Sequence, residues 1–542
     1  MNGAQSLFKA LVDAGLDTCF TNPGTSEMQL VYEMGLTEDV RPVLCLQENT
    51  VTGAADGYAR MAGKPAFTLL HVGSGFANGI ANLHNAGRAN TPIVNVVGAN
   101  ASYHQHNFPE HELINGRITD LARVVSHWTK EAKSASDLGV LGAMAARYAR
   151  IGSGKICTVV APTNCHWDPS AGTPEIEDLI STPCVPAETV KEAAERLQNG
   201  RKTAFLLGGA ALSDDGIEIA GRIAAKTGVQ LLAETGPSRL ARGEGRIKVQ
   251  TVPYLLDLAL KFFKDSGIEQ ILLVSALTPV ATFAYQNMPV MKVPDTCEVW
   301  TYATADHNVM SALTDLADAV GAGNETLERI QRVEPEVPAG ELTVEAVGQC
   351  VCLSMPADAI LVDEAITASV PLFAATAQAR RHDYLLATNG GAIGHGLPVA
   401  LGASIACPDR KTVLLQGDGS AMYTNQALWS MARENCDVTV VLLKNDSYGV
   451  LNLELARVRE GEPNDKMLSM LKIDRPSIDW VQLAQGMGVP ATHADTAEAF
   501  HAQFKEAMAQ KGPRLIEAEI SEDLGPVAEL IYKGSQKLRA KK

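Results

Sequence analysis

Short apolar runs alternate with segments of helical spacing along most of the chain. In the first third these runs are DTCFTNPG, PVLCLQE, AFTLLHV and PIVNVVGA. The middle third contains TAFLLGGAA, VQLLAET and QILLVSA, and the last third contains AILVDEA, YLLATNG, TVLLQGD, VTVVLLK and RLIEAEI. Fully apolar strands that alternate with helices are typical of parallel sheets covered on both faces. The pattern therefore predicts an α/β protein with ligand sites beyond the carboxyl ends of its strands.

Two linker-like segments, STPCVPAETV and the acidic VEPEVPAGEL, divide this pattern into three units. We predict three doubly wound parallel-sheet domains at residues 1–182, 187–333 and 343–525. Residues 526–542 are charged and helix-prone, and are predicted to form a tail or a lid. A length of 542 residues suits three domains of ordinary size.

Composition narrows the class of function. The net charge is −16 and aromatic residues make up 5%, which argues against nucleic acid or an anionic membrane as partner. The ten cysteines include no CxxC pair, which favours free thiols in a reducing compartment. No apolar run approaches the roughly 20 residues of a spanning helix, and the N-terminus has a helical stripe rather than a signal-peptide core. We expect a cytoplasmic protein.

The most informative stretch runs from Gln416 to Gly449. Asp418 follows the strand KTVLLQ and Asn445 follows the strand VTVVLL, with 25 residues between Gly419 and Asn445 for one crossover helix. If the strands are adjacent, a carboxylate, an amide oxygen and the Ser447 carbonyl meet at one edge, and Mg²⁺ favours such oxygen ligands. A capping aspartate in a simple strand-to-helix turn is the alternative.

This stretch resembles the cofactor-binding motif of thiamine diphosphate enzymes, and GDGSAMYTNQALW is similar to the benzoylformate decarboxylase branch. The resemblance implies pyrimidine-binding, central and diphosphate-binding domains, with Mg²⁺ held by Asp418, Asn445 and Ser447. Lys444 replaces the first of the two asparagines usual in the motif. The implied cofactor-binding residues of this stretch are Gly417, Asp418, Gly419, Ser420, Asn445, Ser447, Tyr448, Gly449 and Val450.

Three further cofactor-binding residues follow from the same resemblance. Thr367 in DEAITAS matches the hydroxyl that binds the diphosphate, although a capping or surface threonine would look the same. In NGGAIGHGLPVALGAS, the Gly391 carbonyl would accept from the cofactor's amino group, and Ile393 would support its bent shape. A glycine-rich loop that leads into a packed helix, without a ligand, is the alternative for this segment.

Glu48 is the candidate activator of the cofactor. It follows the apolar VLCL and precedes a helix of small residues. The alternative is that Glu48 only stabilises the start of this helix through the helix dipole. The resemblance instead implies that Glu48 binds the cofactor's pyrimidine ring and promotes its active tautomer. Since Glu48 lies on the first domain and the metal site on the third, the family arrangement implies a homodimer, and we expect a homotetramer.

Substrate residues are predicted less directly. Thr25 in TNPGTSE stands where the benzoylformate decarboxylase pattern has serine, and His71 in LLHVGSG matches a proton-transfer histidine. The family's second histidine is missing from LTPVATFAYQNMP, where Tyr285 or Gln286 falls near its place. His104, His106 and His111 are further proton-donor candidates, with a solvated loop or a zinc cluster as alternatives.

These features predict a thiamine diphosphate- and Mg²⁺-dependent decarboxylase of a 2-oxo acid, with carboligation to a second carbonyl as another outcome. An acetolactate synthase-like carboligase is the alternative, although those enzymes usually carry methionine at the place of Ile393. Their FAD site lies in the central domain, and LLGGAALSDDG alone is too weak a motif to assign FAD. A non-catalytic cofactor-binding protein of the same fold is the remaining alternative.

Overall fold

The computed structural model describes residues 1–107, 109–172, 181–520 and 525–539. The chain folds into three α/β units, each built on a sheet that is wholly or mainly parallel, with helices packed on both faces. The predicted fold class is therefore confirmed. No helix within the described ranges combines the length and apolar composition needed to cross a membrane.

The first unit is a six-stranded parallel sheet in the order β2-β1-β3-β4-β6-β5. Its strands are β1 (Thr18–Asn22), β2 (Arg41–Leu44), β3 (Ala66–Leu70), β4 (Ile93–Ala99), β5 (Trp128–Glu131) and β6 (Ile156–Pro162). Its helices are α1 (Gly3–Asp13), α2 (Met28–Leu36), α3 (Glu48–Ala62), α4 (Val72–Asn78), α5 (Ile80–Arg88), α6 (Ile118–Arg123), α7 (Ala135–Tyr148) and α8 (Thr163–Trp167).

The second unit has a five-stranded parallel sheet in the order β10-β8-β7-β11-β12. The strands of this part of the chain are β7 (Thr203–Leu207), β8 (Gln230–Ala233), β9 (Leu240–Arg242), β10 (Gln250–Thr251), β11 (Gln270–Val274) and β12 (Glu298–Ala303). The helices are α9 (Ala187–Leu197), α10 (Asp214–Thr227), α11 (Leu256–Ser266) and α12 (Val309–Val320). The segment LLGGAALSDDG spans the carboxyl end of β7 and the start of α10.

The third unit has a seven-stranded sheet in the order β17-β18-β16-β15-β13-β14-β9. Its own strands are β13 (Ala359–Glu364), β14 (His382–Leu386), β15 (Thr412–Gly417), β16 (Val438–Lys444), β17 (Ala491–Ala494) and β18 (Arg514–Glu519). Its helices are α13 (Val344–Ser354), α14 (Ser369–Ala375), α15 (Gly396–Ala406), α16 (Asp418–Ala421), α17 (Ala427–Arg433), α18 (Gly449–Val458), α19 (Asp465–Leu468), α20 (Trp480–Gly486) and α21 (Ala497–Ala509).

Strand β9 connects the second and third units. It lies within the sequence of the central unit, yet it pairs antiparallel with β14, with Leu240 opposite Tyr384 and Arg242 opposite His382. The sequence analysis did not predict this crossing.

The predicted tail contains helix α22 (Gly525–Arg539), where Tyr532 lies against the Arg459 guanidinium just beyond α18. Residues 540–542 of the predicted tail lie outside the described part.

Helices α3 and α15 join the first unit to the third. Both consist largely of small and apolar residues, and nearly every position of each is buried, as expected for helices enclosed on all sides. The backbones meet where Gly57 faces the Val399 carbonyl and Gly402 faces the Ala54 carbonyl. This contact places the loop before α15 and the carboxyl ends of the third sheet at a fixed position relative to the first unit.

Candidate active site

Strands β13, β15 and β16 are neighbours, and their carboxyl ends surround a small cavity. This edge of the sheet brings together most of the predicted cofactor-binding residues of the third unit. The predicted residues that line the cavity are Thr367, Ile393, Gly417, Asp418, Gly419, Ser420, Asn445, Ser447, Tyr448, Gly449 and Val450. Gly391 is absent from this lining and has a left-handed φ of 84°, at the turn before Ile393.

Asp418 joins the two strand ends. Its Oδ1 accepts from the Gly419 N–H at 2.7 Å, and its Oδ2 accepts from the N–H groups of Asn445 at 3.1 Å and Asp446 at 2.8 Å. Burial raises the pKa of Asp418 to about 6, against the opposing effect of these donors. The Asn445 Oδ1 accepts from the Ser447 N–H at 3.1 Å. The carboxylate thus holds the loop after β16 against the start of α16, so the side chains of Asp418 and Asn445 lie on one edge.

Lys444, which stands at the first asparagine position of the motif, belongs to a different surface. Its Nζ lies 3.8 Å from Asp446 Oδ2 and 4.0 Å from Glu517 Oε1, in a cleft that also contains Ser477 and His493. The substitution therefore leaves the lining of the cavity unchanged.

Glu48 begins α3, and the side chain of Gln47 caps the helix by accepting from the Thr50 N–H. The carboxylate of Glu48 is 7% exposed. Its Oε1 accepts from Asn22 Nδ2 and its Oε2 from Asn78 Nδ2, both at 3.1 Å. Glu48 does not belong to the lining of the cavity on the third unit of the same chain.

His71 follows β3, and Thr25 begins a short 3₁₀ helix after the neighbouring strand β1. His71 Nδ1 lies 2.8 Å from Oε2 of Glu27, a fully buried acid that also accepts from the Gly24 N–H at 2.9 Å. Gly24 leaves room for the His71 ring, because a Cβ there would lie 2.1 Å from Nδ1. Thr25 itself is exposed.

The other substrate candidates lie apart from one another. His104 and His106 are exposed, whereas the ring of His111 meets that of His71 edge to face at 5.1 Å between centroids. Tyr285 lies on the central unit, where its hydroxyl donates to Glu454 Oε1 at 3.0 Å. In the part of the chain that the structure describes, no three histidine, cysteine, aspartate or glutamate side chains gather into a metal-binding cluster.

Comparison with known proteins identifies the family. Residues 1–122 match the thiamine pyrophosphate enzyme N-terminal TPP binding domain, and residues 368–518 match the corresponding C-terminal TPP binding domain. The chain is 42% identical, over 97% of its length and 100% of the relative's, to a Mycobacterium tuberculosis protein named "Putative acetolactate synthase large subunit IlvX". The chain belongs to the thiamine pyrophosphate enzyme family.

Two other members of the family are named as decarboxylases. A benzoylformate decarboxylase of Pseudomonas aeruginosa is 30% identical, over 93% of this chain and 96% of its own length. The solved structure of a thiamine diphosphate-dependent 4-hydroxybenzoylformate decarboxylase from Rhodococcus jostii RHA1 superimposes with a TM-score of 0.83 at 27% identity, covering 96% of this chain and all of the other. The predicted resemblance and the thiamine diphosphate cofactor are therefore confirmed.

The residues at this edge suit the metal-bound diphosphate of this family's cofactor. Asp418 is 3% exposed and makes no ion pair with a described side chain, so a cation at this edge would supply the missing positive charge. The Asp418 carboxylate, the Asn445 amide and the Ser447 carbonyl would offer oxygen ligands of the kind that Mg²⁺ prefers. Position 419 has no room for a side chain, because a Cβ there would lie 2.6 Å from the Tyr448 ring.

Two buried carboxylates near the site escaped the sequence analysis, namely Glu27 and Glu364. Glu364 ends β13 and accepts from three consecutive N–H groups, those of Gly394, His395 and Gly396, at 2.7, 3.1 and 2.7 Å. Burial raises the pKa of Glu364, and these donors oppose the shift. Glu364 thereby positions the loop that carries Ile393. The sequence signal that could have revealed Glu364 is an acid at the end of an apolar strand, together with a glycine-rich helix start later in the chain.

Proposed function

We propose that this protein decarboxylates a 2-oxo acid with thiamine diphosphate and Mg²⁺. The observation that carries the proposal is that Asp418 and Asn445 line one cavity at the carboxyl ends of adjacent strands, in a chain that keeps Glu48. In this function Asp418, Asn445 and the Ser447 carbonyl would hold Mg²⁺. The hydroxyls of Thr367 and Ser420, with the amides at the start of α16 and α18, would hold the diphosphate. Gly391 would accept from the amino group, and Ile393 would contact the rings.

Bound thiamine diphosphate supplies a carbon nucleophile and takes up the electron pair released when CO₂ leaves. The chain supplies proton control and orientation. Glu48, fixed by Asn22 and Asn78, would exchange a proton with the pyrimidine ring. Thr25 would orient the substrate carboxylate through its hydroxyl. His71 would deliver or remove the proton at the substrate oxygen or carbon through Nε2, since Nδ1 is held by Glu27.

The proposal requires two copies of the chain. Within one copy Glu48 is not part of the cavity that contains Asp418. A homodimer in which the first unit of one copy covers the third unit of the other would bring Glu48 and His71 to the cofactor, and two such dimers would form the expected homotetramer. All ten cysteines are free thiols, which supports a reducing, cytoplasmic location.

A second candidate outcome is carboligation, which the 42% identity to the acetolactate synthase-like protein favours. The two outcomes are separated by supplying pyruvate and benzoylformate to the holoenzyme in separate reactions and identifying the products by NMR. Free aldehyde with CO₂ supports decarboxylation, and acetolactate from pyruvate without aldehyde supports the carboligase. Glu48→Gln should keep the cofactor bound, as measured by calorimetry, and reduce turnover at least about 100-fold. Unchanged turnover would show that Glu48 does not exchange the proton with the pyrimidine ring.

A further inference from the structure

Helix α18 extends from the cavity toward the central unit. Its first residues, Gly449 and Val450, line the cavity. Glu454 lies four residues after Val450 and therefore on the same face of the helix, one turn further out. The hydroxyl of Tyr285, from the central unit, donates to Glu454 Oε1 at 3.0 Å. One turn beyond the cavity, this face of α18 therefore carries a carboxylate that is bonded to a phenol.

Two carboxylates and one guanidinium lie close to Tyr285. The Arg457 guanidinium lies 4.1 Å from the centroid of the Tyr285 ring, and its Nε is 3.8 Å from Glu454 Oε2. Arg457 also approaches Asp257 at 3.4 Å, so two carboxylates share one guanidinium. Burial, followed by the effect of Glu454, raises the pKa of Tyr285 to about 12, which keeps the phenol neutral.

Glu454 retains capacity for another donor. Its side chain is 28% exposed, and a carboxylate accepts about four hydrogen bonds, of which Tyr285 supplies one. An apolar group placed against this carboxylate would remove water from it without replacing the lost hydrogen bonds, which is costly. A donor-bearing group would replace them, and a cation would also be attracted by the Glu454 carboxylate.

We propose that Tyr285 and Glu454 determine substrate specificity by binding the distal end of the substrate, and that the preferred 2-oxo acid ends in a hydrogen-bond donor, a cationic one above all. This inference rests on the proposed function, because it assigns the substrate of the same site. Guanidinium and hydroxyl ends are favoured, methyl ends are disfavoured, and carboxylate ends are repelled.

A set of 2-oxo acids of equal chain length, ending in guanidinium, hydroxyl, methyl or carboxylate, tests the proposal on the thiamine diphosphate- and Mg²⁺-loaded enzyme. We expect kcat/KM for the guanidinium and hydroxyl acids to exceed that of the methyl acid by about tenfold or more. Calorimetric binding of the same acids to loaded Glu48→Gln protein should give the same order without turnover. Equal values for methyl and donor-terminated acids in both assays would overturn the proposal.

Variants assign the effect to the two side chains. Glu454→Leu should remove the preference or reverse it toward the methyl acid, and Tyr285→Phe should weaken it. The matched control is Glu462→Gln, whose side chain is 84% exposed beyond the end of α18 and should leave the preference unchanged. If Glu454→Leu keeps the preference, the carboxylate is only a structural ion-pair partner and the proposal is wrong.

The two proposals fail in different ways. If the loaded enzyme turns over methyl-terminated and donor-terminated acids equally, decarboxylation stands and the specificity inference fails. If the protein binds the cofactor but neither binds nor turns over any acid of the set, both the proposed function and the specificity inference fail.

Discussion

The Glu27 carboxylate lies 2.8 Å from Nδ1 of His71 and is fully buried beneath it. Because the same oxygen already accepts from the Gly24 N–H, Glu27 acts as an acceptor and His71 Nδ1 carries the proton. This contact favours one tautomer and leaves Nε2 as the nitrogen that would exchange a proton with a substrate in the proposed function. In that function Glu27 would be a positioning residue for His71, comparable to the acid that orients a histidine base in other enzymes.

Glu27→Gln should lower kcat by about 100-fold while leaving the affinity for thiamine diphosphate unchanged, because a glutamine can present an N–H to Nδ1 and favour the other tautomer. Steady-state kinetics and calorimetry measure the two effects. In the His71→Ala background the same substitution should lower kcat almost no further, because both changes disable the same Glu27–His71 pair.

Glu33→Gln is the control for Glu27→Gln. Glu33 is also a buried acid of the first unit, but its partners are Asn2, Gln5 and Gln29, away from His71. We expect it to leave kcat within about twofold of the parent. Additive losses in the Glu27–His71 double variant would contradict the positioning role and indicate that Glu27 acts independently.

Asp418→Ala should abolish Mg²⁺-dependent binding of thiamine diphosphate. The substitution removes a proposed metal ligand and also the acceptor for the N–H groups of Gly419, Asn445 and Asp446, so the loop loses its anchor. Calorimetric titration of the apo protein with the cofactor, with Mg²⁺ and then with a chelator, measures the effect. Chelation of the parent protein should produce a similar loss.

Asp465→Asn provides the comparison for Asp418→Ala. Asp465 is exposed at the start of α19, outside the cavity lining, and its substitution should leave cofactor affinity unchanged. Retained Mg²⁺-dependent binding in Asp418→Ala would show that the metal is held elsewhere.

The sequence predicted that Asp418 and Asn445 lie at one edge if the two strands of their βαβ unit are adjacent, and the structure pairs these strands. The spacing suits a single crossover helix, which favours such a pairing. Glu27 and His71 are also at adjacent strand ends, those of β1 and β3, but β2 and α3 intervene in the chain. Sequence spacing does not show that β3 returns to the side of β1, and Glu27 was therefore missed.

Strand β9 and Glu364 were missed for a related reason. A strand of three residues has no readable alternation, and Leu240 is buried against a partner strand 140 residues later in the chain. Glu364 is the last residue of β13, two positions after its apolar run, yet its partners are the amides that lead into α15. Both depend on tertiary pairing, which periodicity does not encode.

Gly57→Ala should weaken the α3–α15 contact. A Cβ at position 57 would lie 2.1 Å from the Val399 carbonyl oxygen, so the helices must move apart. We expect a loss of about 1–3 kcal/mol in the free energy of unfolding, measured by urea denaturation. Gly35→Ala in α2 is the matched control, because nothing lies within 4 Å of the added carbon, and it should leave stability unchanged or slightly higher. Equal stability of the two variants would show that the contact relaxes freely.

Acid sensitivity of the first unit should depend partly on His166. Its ring is fully buried in α8 with Nε2 2.9 Å from the Ala161 carbonyl, and burial lowers its pKa from 6.5 to about 4. Between these values the unfolded chain takes up a proton that the folded chain does not, so stability is lost as pH falls from 6.5 toward 4, by at most about 3 kcal/mol. His166→Gln, which can still donate to Ala161, should flatten this part of the pH profile in urea denaturation at pH 4.5 and 7.5. An identical pH dependence in parent and variant would mean that protonation of His166 is not coupled to unfolding.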